Sequence, residues 1–140
     1  MANDLQPHVR ITSDDAAKYA ILPGDPKRVI RVKSFLQDAK DIAFNREFKS
    51  VNGYYKGVKV MCVSTGIGGA SLAIAAEELG HIGVKTLIRI GSCGAIDKGL
   101  RLGDLIIASG ALRDEGVTDA YVDKMYPAYA DTDTFSALRD

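Results

Sequence analysis

The apolar positions of this chain fall into short runs, and most runs end in glycine. Tyr19-Ala-Ile-Leu-Pro23 predicts a short strand. Gly24-Asp25-Pro26 predicts a turn in which Asp25 caps a helix and Pro26 takes its first position. Val29, Ile30, Val32, Phe35 and Leu36 then supply an approximate helical stripe that ends near Asp38. Ala39 to Gly53 reads as extended, with Arg46 and Glu47 as solvated charges on a surface strand. Tyr54 and Tyr55 lead into a tight turn at Lys56-Gly57, and Val58 to Thr65 is the next strand. Ala70 to His81 predicts a helix with Glu77 and Glu78 on its exposed side. Val84 to Ile90 and Leu105 to Ser109 predict two buried strands, and Ala95 to Leu102 a loop between them. Asp131-Thr-Asp-Thr134 can cap a last helix, too short to be stable alone. Residues 1–17 are polar and predict an arm.

Strands alternating with helices give the class α/β, with a mixed central sheet flanked by helices. Length makes a single domain over residues 1–140 the expectation. Glycine-rich strand ends can converge at one crevice, the usual ligand site of such sheets.

The chemistry concentrates in Arg89-Ile-Gly-Ser-Cys-Gly94. A guanidinium in an apolar strand is costly unless it meets an anion. Gly91 and Gly94 let the backbone turn and present its N–H groups, with the Ser92 hydroxyl between them. Two readings fit: a pocket for an oxyanion such as phosphate, or an arginine paired with a structural carboxylate beside plain turns. Arg28 lies in the first turn of the helix after Gly24, where amides and the helix dipole already attract anions. Gly66-Ile-Gly-Gly69 resembles part of a dinucleotide fingerprint. However, Ser71 occupies the last glycine position, and no acidic residue stands at the expected distance, so a nicotinamide dehydrogenase is rejected. His8 in the arm and His81 at a helix end carry no signal of their own.

Composition narrows the classes further. Hydrophobic content of 46% suffices for one core. Eighteen basic and eighteen acidic residues give zero net charge, so nothing favours nucleic acid or an anionic membrane. No apolar run suggests a membrane span, and the N-terminus lacks signal-peptide regions. Cys62 and Cys93 are too few for a disulfide framework and have no metal-ligand spacing, so a reducing cytoplasm is expected.

Four motifs occur in order: Gly24-Asp25-Pro26-x-Arg28, Asn45-Arg46-Glu47-Phe48, Ser64-Thr-Gly-Ile-Gly-Gly69 and Arg89-Ile-Gly-Ser-Cys-Gly94. Together they make the chain resemble the uridine phosphorylase and hexameric purine nucleoside phosphorylase family. Leu22-Pro-Gly-Asp-Pro26 and Tyr126-Pro-Ala lean towards the bacterial uridine type, whereas Arg-Ile-Gly-Ser-Cys-Gly is also purine-type. The resemblance implies a nucleoside phosphorylase-like fold and phosphorolysis of a nucleoside, uridine first, with inorganic phosphate as co-substrate and no cofactor. It implies that Gly24, Arg28, Arg89 and Ser92 bind phosphate and that Arg46 reaches a neighbouring subunit's phosphate. His8 would meet a ribose hydroxyl across a dimer interface, and Cys93 and Gly94 would lie beside the nucleoside. Glu47, Ile67 and Ser71 match a monovalent-cation site, for K+, between subunits. A homo-oligomer follows, either a dimer or a hexamer built from dimers. The family fold continues beyond position 140 with its base-recognising Gln and Arg and a ribose-gripping Glu-Met-Glu segment. The chain therefore reads as the N-terminal part, truncated at the C-terminus. Two alternatives stand beside the enzyme: a non-catalytic phosphate- or nucleoside-binding fragment or pseudo-enzyme, and purine-type specificity.

Overall fold

The structure, a computed structural model, describes residues 4–140. It comprises two compact units, the first ending at Gly91 and the second beginning at Ser92.

The first unit is a five-stranded mixed sheet with helices on both faces. In chain order it runs β1 (Tyr19–Pro23), α1 (Pro26–Lys33), β2 (Gln37–Asn45), β3 (Phe48–Tyr55), β4 (Val58–Val63), α2 (Gly69–His81) and β5 (Thr86–Ile90). The strand order is β2-β3-β4-β1-β5. Central β1 runs parallel to both neighbours, with Ile21 opposite Cys62 on β4 and Ile88 on β5. β2, β3 and β4 form an antiparallel meander. Its second turn is legible residue by residue: Lys56 at φ 48° and Gly57 at φ 80° give the doubly left-handed turn that a two-residue hairpin favours.

Strand alternation sorts the core into two layers. Ala20 and Leu22 of β1, with Met61 and Val63 of β4, pack beneath Ala75 and Leu79 of α2. Cys62 of β4 and Val51 of β3 face the other way, onto Val29 of α1. α1 starts as the sequence dictates: the Asp25 carboxylate accepts the Lys27 N–H at 2.8 Å, and Pro26 takes the first turn. It stops at Lys33 rather than near Asp38. Ser34 caps it there, and Leu36 still packs on the Val29 cluster from beyond its end.

Four expectations change. Residues 4–17 are not a polar arm, because Val9 and Ile11 are fully buried in the larger core cluster. Arg46 and Glu47 are not on a strand. They are the two-residue turn joining β2 to β3, with Asn45 paired to Phe48. β5 is a terminal strand with β1 as its partner, so Leu87, Arg89 and Ile90 are exposed rather than buried. Glu78 is buried although Glu77, one residue earlier, is exposed.

The second unit holds two short paired strands, β6 (Gly110–Ala111) and β7 (Ala128–Tyr129), and the helix α3 (Thr132–Arg139). The Asp131 carboxylate caps α3 by accepting the Thr134 N–H at 2.9 Å. Arg113 gathers the intervening loop: its guanidinium donates to the Val122 carbonyl at 2.9 Å, the Tyr126 carbonyl at 3.1 Å and Thr118 Oγ1 at 3.1 Å. The expected strand at Leu105–Ser109 does not form, and Leu105 is 93% exposed. An apolar run holds as a strand only with a ladder partner and a covering layer. Among the described residues, Leu105 to Ala108 have no ladder partner.

Candidate functional site

The three parallel strands β4, β1 and β5 end at the same edge of the sheet, and their connecting loops are stitched together there. The Thr65 N–H donates to the Pro23 carbonyl at 2.9 Å, and the Gly66 N–H to the Gly24 carbonyl at 3.0 Å. The β2–β3 turn lies at this edge too, because Ser50 pairs with Val63 at the end of β4. Ser64 fastens it: its hydroxyl donates to the Glu47 carbonyl at 2.6 Å and accepts the Lys49 N–H at 2.8 Å.

Arg89 reaches across this edge. It pairs in register with Leu22, and its guanidinium lies against Gly24. A Cβ on Gly24 would stand 3.2 Å from Arg89 Nη2 and 3.1 Å from the Gly66 carbonyl oxygen. A Cβ on Gly91 would stand 2.9 Å from Nη1. Glycine at both positions is what allows the guanidinium to lie close over the loop backbone. Nη1 donates to the Ile90 carbonyl, its chain neighbour. No carboxylate pairs with Arg89 among the described residues, so the structural ion-pair reading of this arginine lacks its partner.

Arg28 sits in the first turn of α1, its N–H bonded to the Asp25 carbonyl at 2.9 Å. Arg46 stands exposed at the tip of the β2–β3 turn with φ 54°, a left-handed conformation that a residue with a Cβ adopts at a cost.

Glu47 and Ser71 are brought together. Ser71 Oγ lies 2.7 Å from Glu47 Oε1 and 2.5 Å from the Thr65 carbonyl oxygen, so its one proton is shared between them. This hydroxyl holds the Glu47 carboxyl below its ordinary value, helped by the turn's own backbone N–H and by the nearby charges of Arg46 and His8. Gly66, at φ 68°, lies directly beneath: a Cβ there would stand 2.6 Å from Glu47 Cγ. The Ile67 side chain is 98% exposed and takes no part.

His8 is held by Glu78, which the sequence placed on an exposed face, and by Asn45 of the second motif. Glu78 meets its Nδ1 at 2.5 Å, and Asn45 Nδ2 donates to its carbonyl at 2.8 Å. A sequence signal for Glu78 does exist. Ala75 and Leu79 form the buried stripe of α2, continued by Ile82 just past its end, and position 78 falls on that stripe while 77 does not. Ser92, Cys93 and Gly94 open the second unit and are all exposed. No group of three His, Cys, Asp or Glu able to hold a metal occurs among the described residues. No helix of theirs is long and apolar enough to cross a membrane.

The sequence profile described as the Phosphorylase superfamily matches residues 18–140. A uridine phosphorylase of Thermococcus kodakarensis is 50% identical over 134 residues, covering 96% of this chain and 48% of the relative. A guanosine phosphorylase of Halorubrum lacusprofundi is 43% identical, covering 95% of this chain and 55% of the relative. The crystal structure of a Vibrio fischeri uridine phosphorylase superposes with a TM-score of 0.93 at 41% identity, covering 96% of this chain and 55% of that one. The chain thus spans about half the length of the relatives it matches.

Proposed function

This chain belongs to the phosphorylase superfamily, and on that premise we propose that it carries the phosphate-holding half of a nucleoside phosphorylase site. In the reaction a nucleoside and inorganic phosphate give the free base and ribose 1-phosphate. The bond from the anomeric carbon to the base nitrogen breaks, a phosphate oxygen bonds to that carbon, and the base leaves with the electron pair and gains a proton. Uridine is the nucleoside of first choice.

One observation carries this reading: the Arg89 guanidinium lies against Gly24 where three parallel strands end. The Gly24 backbone and the Arg28 side chain, carried on the first turn of α1, supply further donors for an anion. Phosphate held there acts mainly by position, and its negative charge then faces the cationic character that develops on the sugar. Arg46, exposed on its turn, is suited to reach a second copy's phosphate, in a dimer or a hexamer of dimers. His8 is offered to the nucleoside.

The donors around Glu47 fit a monovalent cation such as K+. The Glu47 carboxylate and the Ser71 hydroxyl are hard oxygens already in contact, and the Ile67 backbone carbonyl would add a third. Bound there, the cation would supply charge that neutralises Glu47.

A second reading is non-catalytic phosphate binding at the same residues. An assay of phosphorolysis with uridine, thymidine and inosine, run beside phosphate-dependent melting, separates the two. Turnover that Arg89→Ala abolishes supports the enzyme, and the preferred substrate decides base choice. Phosphate stabilisation without turnover supports the binding fragment. Melting indifferent to phosphate overturns both.

A further inference from the structure

We propose that Glu78 is a positioning residue that fixes the tautomer of His8, so that Nε2 becomes the atom offered to a ligand hydroxyl. The proposal rests on the reading above in one respect only, that His8 faces a nucleoside.

Glu78 is buried on α2 and surrounded by donors from one short turn. Oε2 accepts the Val9 N–H at 2.7 Å and the His8 N–H at 3.0 Å. Oε1 lies 3.1 Å from the same His8 nitrogen and 2.5 Å from His8 Nδ1. Two successive backbone amides form a small nest for an anion. Backbone amides can only donate, so the carboxylate is the acceptor throughout. Nδ1 must then carry a proton. This is the reverse of free neutral imidazole, in which the proton favours Nε2.

The ring cannot escape this arrangement by moving its backbone. Asn45 Nδ2 holds the His8 carbonyl at 2.8 Å. The Gln6 N–H bonds to the Ile11 carbonyl at 3.0 Å, and the Arg10 N–H to the Gln6 carbonyl at 3.1 Å, closing the turn. Val9 and Ile11 anchor it in the core. Nε2, across the ring from Nδ1, has no partner among the described residues, and the side chain is 41% exposed. In the neutral ring Nε2 is therefore an acceptor with a fixed direction. A sugar hydroxyl, which donates, is the ligand chemistry it suits.

Glutamine at position 78 makes the test sharp. Its amide oxygen would stay on the two backbone N–H groups, turning its NH2 towards Nδ1. Nδ1 would then have to accept, and the proton would move to Nε2. The experiment is long-range proton–nitrogen NMR correlation of the His8 ring in the isotope-labelled full chain, without phosphate or nucleoside, above the pH at which the ring loses its charge. In the unmodified protein Nδ1 should show the protonated, pyrrole-type shift and Nε2 the pyridine-type shift. Glu78→Gln should interchange them, and Glu77→Gln should leave them as they were. An Nε2–H tautomer or a rapid average in the unmodified protein overturns the proposal. So does Glu78→Gln with unchanged shifts. Should that variant fail to fold, the unmodified protein alone decides. Because no phosphate is present, the result stands apart from the fate of the phosphate reading.

Discussion

Arg89 and Gly24 form a pair in which each explains the other: the guanidinium lies so close that a Cβ on residue 24 would press on it at 3.2 Å. Removing the charge with Arg89→Ala should weaken phosphate binding roughly ten- to a hundredfold, the scale of one charge-assisted hydrogen bond. Calorimetric titration measures it. Gly24→Ala should give a smaller loss in the same titration by displacing Nη2, with the fold intact. Glu47 predicts a pH dependence. Its folded carboxyl titrates below its unfolded value, so its contribution to stability is present above the unfolded value and lost as pH falls through the folded one. Glu47→Gln should therefore flatten the acid side of a melting-temperature profile. The thiols should also separate. Burial pushes Cys62 up to about 12, and Cys93 is exposed, so a thiol reagent at neutral pH should modify Cys93 and spare Cys62 until the protein unfolds. Arg89 and Gly24 were legible because a basic residue beside glycines at a strand end is unusual chemistry. Glu78 was not, because a charged residue on a helix reads as solvated until its angle to the apolar stripe is measured.

At the scale of elements, what was legible had a local cause. The Asp25-Pro26 start of α1, the Lys56-Gly57 turn and the extent of α2 follow from capping, turn conformation and periodicity. What was missed depends on partners distant in sequence. The segment through Val9 and Ile11 looks polar as a run, yet both side chains complete the core beneath α2. Ile11→Ala should cost about 2–5 kcal/mol in chemical denaturation, as a core truncation and not as loss of an arm. Leu87 and Ile90 looked buried because their run is apolar, but β5 has a strand partner on one side only. Arg46 and Glu47 are the central residues of a turn, and neither is the glycine or asparagine that usually announces one there. Gly66 ties these elements together. Gly66→Ala would strain a φ of 68° and press on Glu47, and should lower stability by about 1–2 kcal/mol or more.

Over the whole molecule, two units of different character share one chain. The first buries a continuous core between sheet and helices. The second leaves Ile96, Leu102, Leu105 and Leu112 almost fully exposed. Amide hydrogen exchange should follow that division, with strong protection in β1, β3 and β4 and little at residues 95–108. Such exposed apolar groups also favour association, which sedimentation at rising concentration would register. The fold of the first unit follows from an alternating pattern that the sequence displays openly; the second unit's apolar run lacks the ladder it would need. The central claim is that loops at one sheet edge of the first unit grip an inorganic anion through the Gly24 backbone and the Arg89 guanidinium. Titrating phosphate into isotope-labelled protein while recording backbone amide and arginine side-chain NMR signals tests it most directly. Saturable shifts confined to Gly24, Asp25, Arg28 and Arg89 and their neighbours are the predicted result. Signals there that stay still at saturating phosphate, or weak shifts scattered over surface lysines, would contradict it.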